Sequence, residues 1–134
     1  MSVARLYKVA LVPLGRLRAH EMVEPQRVEK LVEDIRRRGR VERPVLVDVK
    51  TLVILDGHHR VAALRRLGAH CVPAVLVDYS SPCVEVGSWR PGLHVDKATV
   101  LRAGLEGKPL PPRTSRHQVC FEIPRADTPL EELL

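Results

Sequence analysis

Residues Leu52 to Gly68, Leu-Val-Ile-Leu-Asp-Gly-His-His-Arg-Val-Ala-Ala-Leu-Arg-Arg-Leu-Gly, constrain the fold more than any other stretch of the chain. Leu52 to Leu55 is an apolar run too short for a helix, and Asp56-Gly57 breaks it. Val61, Leu64 and Leu67 then recur at helical spacing until Gly68 ends the pattern. A buried strand must therefore run through a polar loop into a helix that begins at or near His58. The first turn of such a helix presents unpaired N–H groups and the positive end of the helix dipole. Gly57 lets a ligand approach the backbone and Arg60 adds a fixed charge. These are the parts of a phosphate cradle. A turn-and-cap reading also fits, with Asp56 as the cap and two exposed histidines. Against it, two histidines and an arginine are poor choices for stability in a first helical turn, because cations oppose the dipole there.

The rest of the chain predicts a mixed α/β domain without linker or repeat. Tyr7 to Val12, Pro44 to Val49, Val72 to Val77 and Val84 to Trp89 read as strands, the second joined to Leu52–Leu55 as a hairpin. Pro25 suits a first helical position, and Val28, Leu31, Val32 and Ile35 share one helix face, with Gly39 as the cap. Asp96 caps a further helix reaching Gly107. A proline-stiffened segment, Lys108 to His117, follows. Val119 to Ile123 is expected to re-enter as a strand, and Thr128-Pro129 to open a short terminal helix.

Composition narrows the function classes. With 134 residues, 45% hydrophobic and 28% charged, the chain is an ordinary globular domain with a real core. No apolar run approaches the roughly 20 residues that span a bilayer, and the first residues lack a signal-peptide pattern, so a cytoplasmic protein with no membrane partner is expected. The net charge of +6 permits nucleic-acid or polyphosphate binding. Its basic residues are dispersed, however, except for Arg36-Arg37-Arg38 and Arg40, and 3% aromatic content builds no stacking platform, so nucleic acid is an unlikely partner. Cys71, Cys83 and Cys120 are odd in number and widely spaced, which predicts reduced, mostly buried thiols rather than a disulfide or zinc site. The absence of asparagine and the excess of arginine over lysine lean toward a thermophile or a GC-rich genome.

Four polar groups lie at element boundaries, where a rigid scaffold can aim them into one cleft: His20-Glu21, Asp56 to Arg60, Ser88-Trp89-Arg90 and Arg113 to His117. Taken singly, Glu21 fits a solvated loop acid, Arg113 to His117 a polar loop, and Trp89 a core anchor. Spacing alone supports binding of a phosphorylated small molecule.

The order His20-Glu21, Ile54-Leu-Asp-Gly-His-His-Arg60, Val75-Leu-Val-Asp-Tyr79 and Pro112-Arg-Thr-Ser-Arg-His117 resembles the archaeal free L-serine kinases of the ParB/sulfiredoxin-like superfamily, over almost the whole chain. The resemblance implies a single α+β domain over 1–134, a small mixed sheet with flanking helices. Residues 1–90 would form the core, and 91–134 the C-terminal helix, proline-rich substrate loop and tail. Members of that family carry a long insertion between the Trp segment and the Thr-x-Arg-His segment, which this chain largely lacks.

The implied activity is transfer of a phosphoryl group from ADP or ATP to the hydroxyl of free L-serine, with Mg²⁺. Gly57, His58, His59 and Arg60 would cradle the phosphates, Asp56 would stand near the metal or the serine hydroxyl, and Glu21 would be the base. Arg116 would take the serine carboxylate, with Thr114, Ser115 and His117 beside it and Trp89 as one wall.

Two relatives offer other functions. A ParB-like, nucleotide-binding, DNA-associated regulator would normally add a helix-turn-helix domain, and the residues from Asp96 onward offer one clear helix. Sulfiredoxin chemistry needs a cysteine where this chain has His58.

Overall fold

The computed structural model describes residues 6–134; the first residues, read above for a signal sequence, lie mostly outside them. In chain order the elements are β1 (Lys8–Pro13), α1 (Pro25–Arg38), β2 (Arg40–Val41), β3 (Val45–Asp48), β4 (Ile54–Asp56), α2 (His58–Arg66), β5 (Cys71–Val77), β6 (Val84–Ser88), α3 (Lys97–Glu106), β7 (Ser115–Val119) and β8 (Thr128–Pro129), closed by a 3-10 turn over Leu130–Leu133. The main sheet has the order β1-β5-β3-β4. β5 is antiparallel to β1 and parallel to β3, and β3 is antiparallel to β4. The fold is the α+β arrangement expected, a small mixed sheet flanked by helices.

β3 and β5 lie in the middle of the sheet and are covered on both faces, so their runs are apolar without alternation. On one face Val45, Val47, Val72 and Ala74 pack with Val28, Val32 and Ile35 of α1 and Val61 and Leu64 of α2. On the other, Leu46, Val75 and Val77 meet Tyr79, Val84, Val95 and Val100 of α3.

Local sequence fixes the helix ends. Pro25 opens α1, and Gly39, at φ 69°, returns its N–H to the Ile35 carbonyl. Asp96 caps α3 by accepting from the Thr99 N–H at 2.8 Å. The β3–β4 hairpin turns on Asp48, whose carboxylate accepts from the Thr51 N–H and hydroxyl and from the Tyr79 N–H.

Two sequence expectations are corrected. The last long strand is Ser115–Val119, not Val119–Ile123, and it pairs antiparallel with β6. Its alternation is real, with Ser115, His117 and Val119 turned inward, but two of those inward residues are polar and the periodicity does not read as a strand. That same register places Val84 opposite Val119, so Cys83 and Cys120 meet just beyond the paired ends, with Cα atoms 4.9 Å apart, and form a disulfide. Linear spacing could not reveal this closeness; Cys71 alone remains a free, half-buried thiol. Thr128-Pro129 pairs with β2 and opens a short terminal helix, as expected, whose Leu133 docks into the core beside α1. Among the described residues no helix is long and apolar enough to cross a membrane.

Candidate active site

The N-terminus of α2, the loop from His20 to Glu24 and the segment from Leu110 to Ser115 enclose a cleft of about 400 Å³. Its floor is Leu55 to Arg60, and Glu21, Arg27, Leu31, Trp89, Arg113 and Ser115 complete the wall. Backbone bonds hold the loop in place on both sides. Arg18 N–H donates to the Leu52 carbonyl and Ile54 N–H to that of Arg18, while Leu110 N–H donates to the His20 carbonyl and Met22 N–H to that of Leu110.

Gly57 adopts φ 107°, and a Cβ there would lie 2.5 Å from Val45 Cγ1. What comes close to its backbone is therefore β3. Helix α2 starts directly after it, and no side chain caps its first turn, so the free N–H groups face the cleft floor. Arg60 is largely buried and loosely paired with the exposed Asp56 carboxylate at 3.7 Å.

Both histidines of the first turn are used as acceptors. His58 Nε2 takes the His20 N–H at 3.1 Å, and His59 Nε2 takes the Glu24 N–H at 3.0 Å. Each ring is thereby fixed with its proton on Nδ1 when neutral. Burial pushes His58 down to about 3 and lowers His59 as well. Neutral rings do not oppose the helix dipole, which removes the objection that two histidines raise at this position.

Glu21 is the most heavily bonded group in the cleft. One carboxylate oxygen accepts from the Arg113 N–H at 3.1 Å, and the other from the Ser115 N–H at 2.8 Å and the Ser115 hydroxyl. Burial alone would raise its pKa, but hydrogen bonds from His20 and Ser115 outweigh that and bring it to about 2. Arg113 is held at φ 56°, a conformation few side chains favour, by this bond and by Thr114 Oγ1 donating to the Pro111 carbonyl.

The remaining predicted residues divide between cleft and support. Ser115 and Trp89 line the cleft. Arg116 points outward and stacks its guanidinium 4.7 Å from the Trp89 ring centre, at the rim. Thr114 is buried with its hydroxyl bonded internally. His117 turns inward, where Nε2 meets the Tyr79 hydroxyl at 2.8 Å and Nδ1 is buried without a partner. Burial lowers its pKa to about 3.

Sequence reasoning did not single out Arg27 or Leu31 as cleft residues, whereas Arg113 was named with the polar group it opens and does line the cleft. Arg27 and Leu31 lie one helical turn apart on α1, a spacing that also suits an ordinary core face. His20 was visible beside Glu21, but not its role as a hub. Its ring is fully buried, with Nδ1 2.6 Å from the Ile54 carbonyl and Nε2 2.8 Å from Ser115 Oγ. Among the described residues there is no cluster of three or more His, Cys, Asp or Glu side chains able to hold a metal.

A family model, the ParB N-terminal domain, matches residues 3–84, more than half of the chain. The chain belongs to the ParB N-terminal domain family. An ATP-dependent L-serine kinase of Staphylothermus marinus is 36% identical over 87 residues, covering 62% of this chain and 34% of the relative. A ParB-like protein of Sulfolobus acidocaldarius is 36% identical over 107 residues, covering 76% and 53%. The chain thus spans between a third and about half of the length of these curated relatives. A free serine kinase variant solved in complex with ADP has the same fold, with a TM-score of 0.81 at 19% identity over 96% of this chain and 94% of that one. The shared fold therefore runs past residue 84 over almost the whole chain.

Proposed function

We propose that this protein is a cytoplasmic free L-serine kinase, which transfers a phosphoryl group from ADP or ATP to the serine hydroxyl and releases O-phospho-L-serine. The observation that carries the reading is the placing of an ionised, buried carboxylate, Glu21, across one small cleft from the uncapped N-terminus of α2 and Arg60. Relatives named as L-serine kinases support it.

Phosphoryl transfer depends on positioning and charge more than on covalent help. The free N–H groups of the first turn of α2, at Gly57, His58 and His59, together with the Arg60 guanidinium, offset the charge of the nucleotide phosphates. Arg27 and Arg113 add positive charge to the wall. Glu21 orients the acceptor hydroxyl and takes its proton as the new P–O bond forms. A carboxylate with a pKa of about 2 is a weak base toward a free alcohol, so proton transfer comes late, once bonding to phosphorus has acidified the hydroxyl. Trp89 walls the acceptor pocket. Arg116, stacked at its edge, binds the serine carboxylate, with Ser115 beside it, and Thr114 and His117 support the strand from behind.

The donor set fits Mg²⁺ brought in with the nucleotide. Mg²⁺ takes one or two protein carboxylates, and Asp56 offers one, exposed on the cleft floor and only loosely paired. When bound, the ion supplies charge neutralisation for the transferring group.

The test is incubation with Mg²⁺, ADP or ATP and a panel of free amino acids, reading AMP or ADP release and phosphoserine. Serine-dependent release with one donor is expected. No release with either donor contradicts the kinase, and duplex binding that weakens steeply with salt in its place favours a nucleotide-binding ParB-like regulator.

A further inference from the structure

We propose that Glu24 receives the ammonium group of the amino-acid acceptor, and so makes the cleft select an α-amino acid over the hydroxy acid of the same skeleton. This rests on the kinase reading above and adds to it the residue that reads the acceptor's positive charge.

The need comes from the acceptor itself. A free amino acid enters as a zwitterion, and its ammonium group takes a charge and three donors out of water, which is unfavourable unless acceptors meet them. In the kinase reading Arg116 and Ser115 serve the carboxylate and Glu21 the hydroxyl. The ammonium is left without a partner.

Among the described residues, three carboxylates line the cleft and the cavity beside it: Glu21, Asp56 and Glu24. Glu21 already accepts from the Arg113 N–H, the Ser115 N–H and the Ser115 hydroxyl, and a carboxylate has about four acceptor sites. What capacity it keeps goes to the hydroxyl it orients. Asp56 sits on the phosphate side, 3.7 Å from Arg60 at the start of α2.

Glu24 lines a second cavity, of about 570 Å³, with Trp89, Arg90, Pro112 and Arg113. Trp89 and Arg113 also belong to the cleft, so the two spaces adjoin, and the Arg116 guanidinium lies on the Trp89 ring. Receptors for both charges of a zwitterion therefore meet at Trp89.

The Glu24 carboxylate is also spare. Glu24 is the N-cap of α1, yet its side chain makes no capping bond. It meets Arg27 Nε at 3.5 Å, and Oε1 is buried without a hydrogen-bond partner. An acceptor left unmade in this way is unfavourable, and an open pair of this kind contributes little to the fold. With 41% of the side chain exposed, a cation in the cavity can reach the carboxylate and complete it. The backbone beneath it is fixed, because the Glu24 N–H donates to His59 Nε2 at 3.0 Å in the first turn of α2. The ammonium receptor is thus tied to the helix end that holds the phosphates, and acceptor and donor are positioned from one rigid element.

Steady-state kinetics of wild type and Glu24→Gln at saturating nucleotide test this, with 3-hydroxypropanoate, which is serine without its ammonium, as a competing ligand. Glu24→Gln keeps the backbone bond to His59 and removes only the charge. The KM for L-serine should rise roughly ten- to hundredfold with kcat little changed, as for loss of one charge-assisted contact to the acceptor. Nucleotide affinity and the inhibition constant of 3-hydroxypropanoate should stay as in wild type, so that the preference for the amino acid shrinks. An unmoved KM for serine, an equal loss for serine and 3-hydroxypropanoate, or a fall in nucleotide affinity, which would mean that Glu24 only steadies Arg27, overturns the assignment and leaves the kinase standing. A wild type without serine-dependent turnover overturns the kinase itself.

Discussion

The Glu21 carboxylate holds Ser115, 94 positions away in sequence, by its backbone N–H and its hydroxyl. This pair joins the two halves of the cleft. It makes Glu21 both the proposed base and the anchor that seats β7 against the core, so the two roles must be separated by experiment.

Glu21→Gln keeps one carbonyl acceptor and places a donating amide where an acceptor is needed. Phosphoryl transfer should fall on the order of a hundredfold or more while nucleotide affinity is retained. Glu21→Ala should do the same and also lower the unfolding midpoint, because the Arg113 and Ser115 N–H groups lose their partner. Thermal unfolding of both variants beside single-turnover rates separates anchor from base.

Stability should fall as the medium is acidified below neutrality. His58 and His117 titrate at about 3 in the fold and near the ordinary 6.5 once unfolded. Between those values the unfolded chain binds the extra protons, so stability is lost as pH falls, at about 1.4 kcal/mol per pH unit for each group. Glu21, held at about 2 against an ordinary 4.5, adds to the loss below pH 4.5. Denaturant titrations from pH 7 to pH 4 should show an uptake of about two protons on unfolding; a flat profile would mean that the rings are not buried neutral.

Gly57→Ala should destabilise the fold by about 2–4 kcal/mol, the sum of a left-handed residue and overpacking against Val45. Val45→Ala in the same chain relieves the clash but not the backbone strain, and should recover part of the loss in urea unfolding.

Reduction of the Cys83–Cys120 disulfide, or Cys83→Ser with Cys120→Ser, should cost about 3–4 kcal/mol, as expected for a cross-link closing 37 positions. Unfolding with and without reductant measures it, and because the disulfide pins the far end of β7, cleft activity should also become more sensitive to heat.

What was legible in the sequence was local. Pro25 and Gly39, Gly57 and Gly68, and Asp96 and Gly107 mark where helices start and stop, because backbone geometry and capping act within a few residues. The strand Ser115–Val119 was hidden, since two of its three inward residues, Ser115 and His117, are polar and only Val119 packs against the core. The disulfide and the His20–Ser115–Glu21 contacts were hidden for another reason: they depend on a hairpin register and on contacts across most of the chain, which no local pattern encodes. Asp56 to Arg60 read as a cradle on spacing alone, but the need for Gly57 comes from Val45 packing, and the two histidines fasten the neighbouring loop.

The most direct measurement is ³¹P NMR of the protein with Mg²⁺, free L-serine and ADP or ATP, run in parallel with Glu21→Gln. A phosphoserine resonance growing with the wild type and absent with the variant is the predicted result. Nucleotide left unchanged by the wild type, or phosphoserine formed equally fast by Glu21→Gln, would contradict the account.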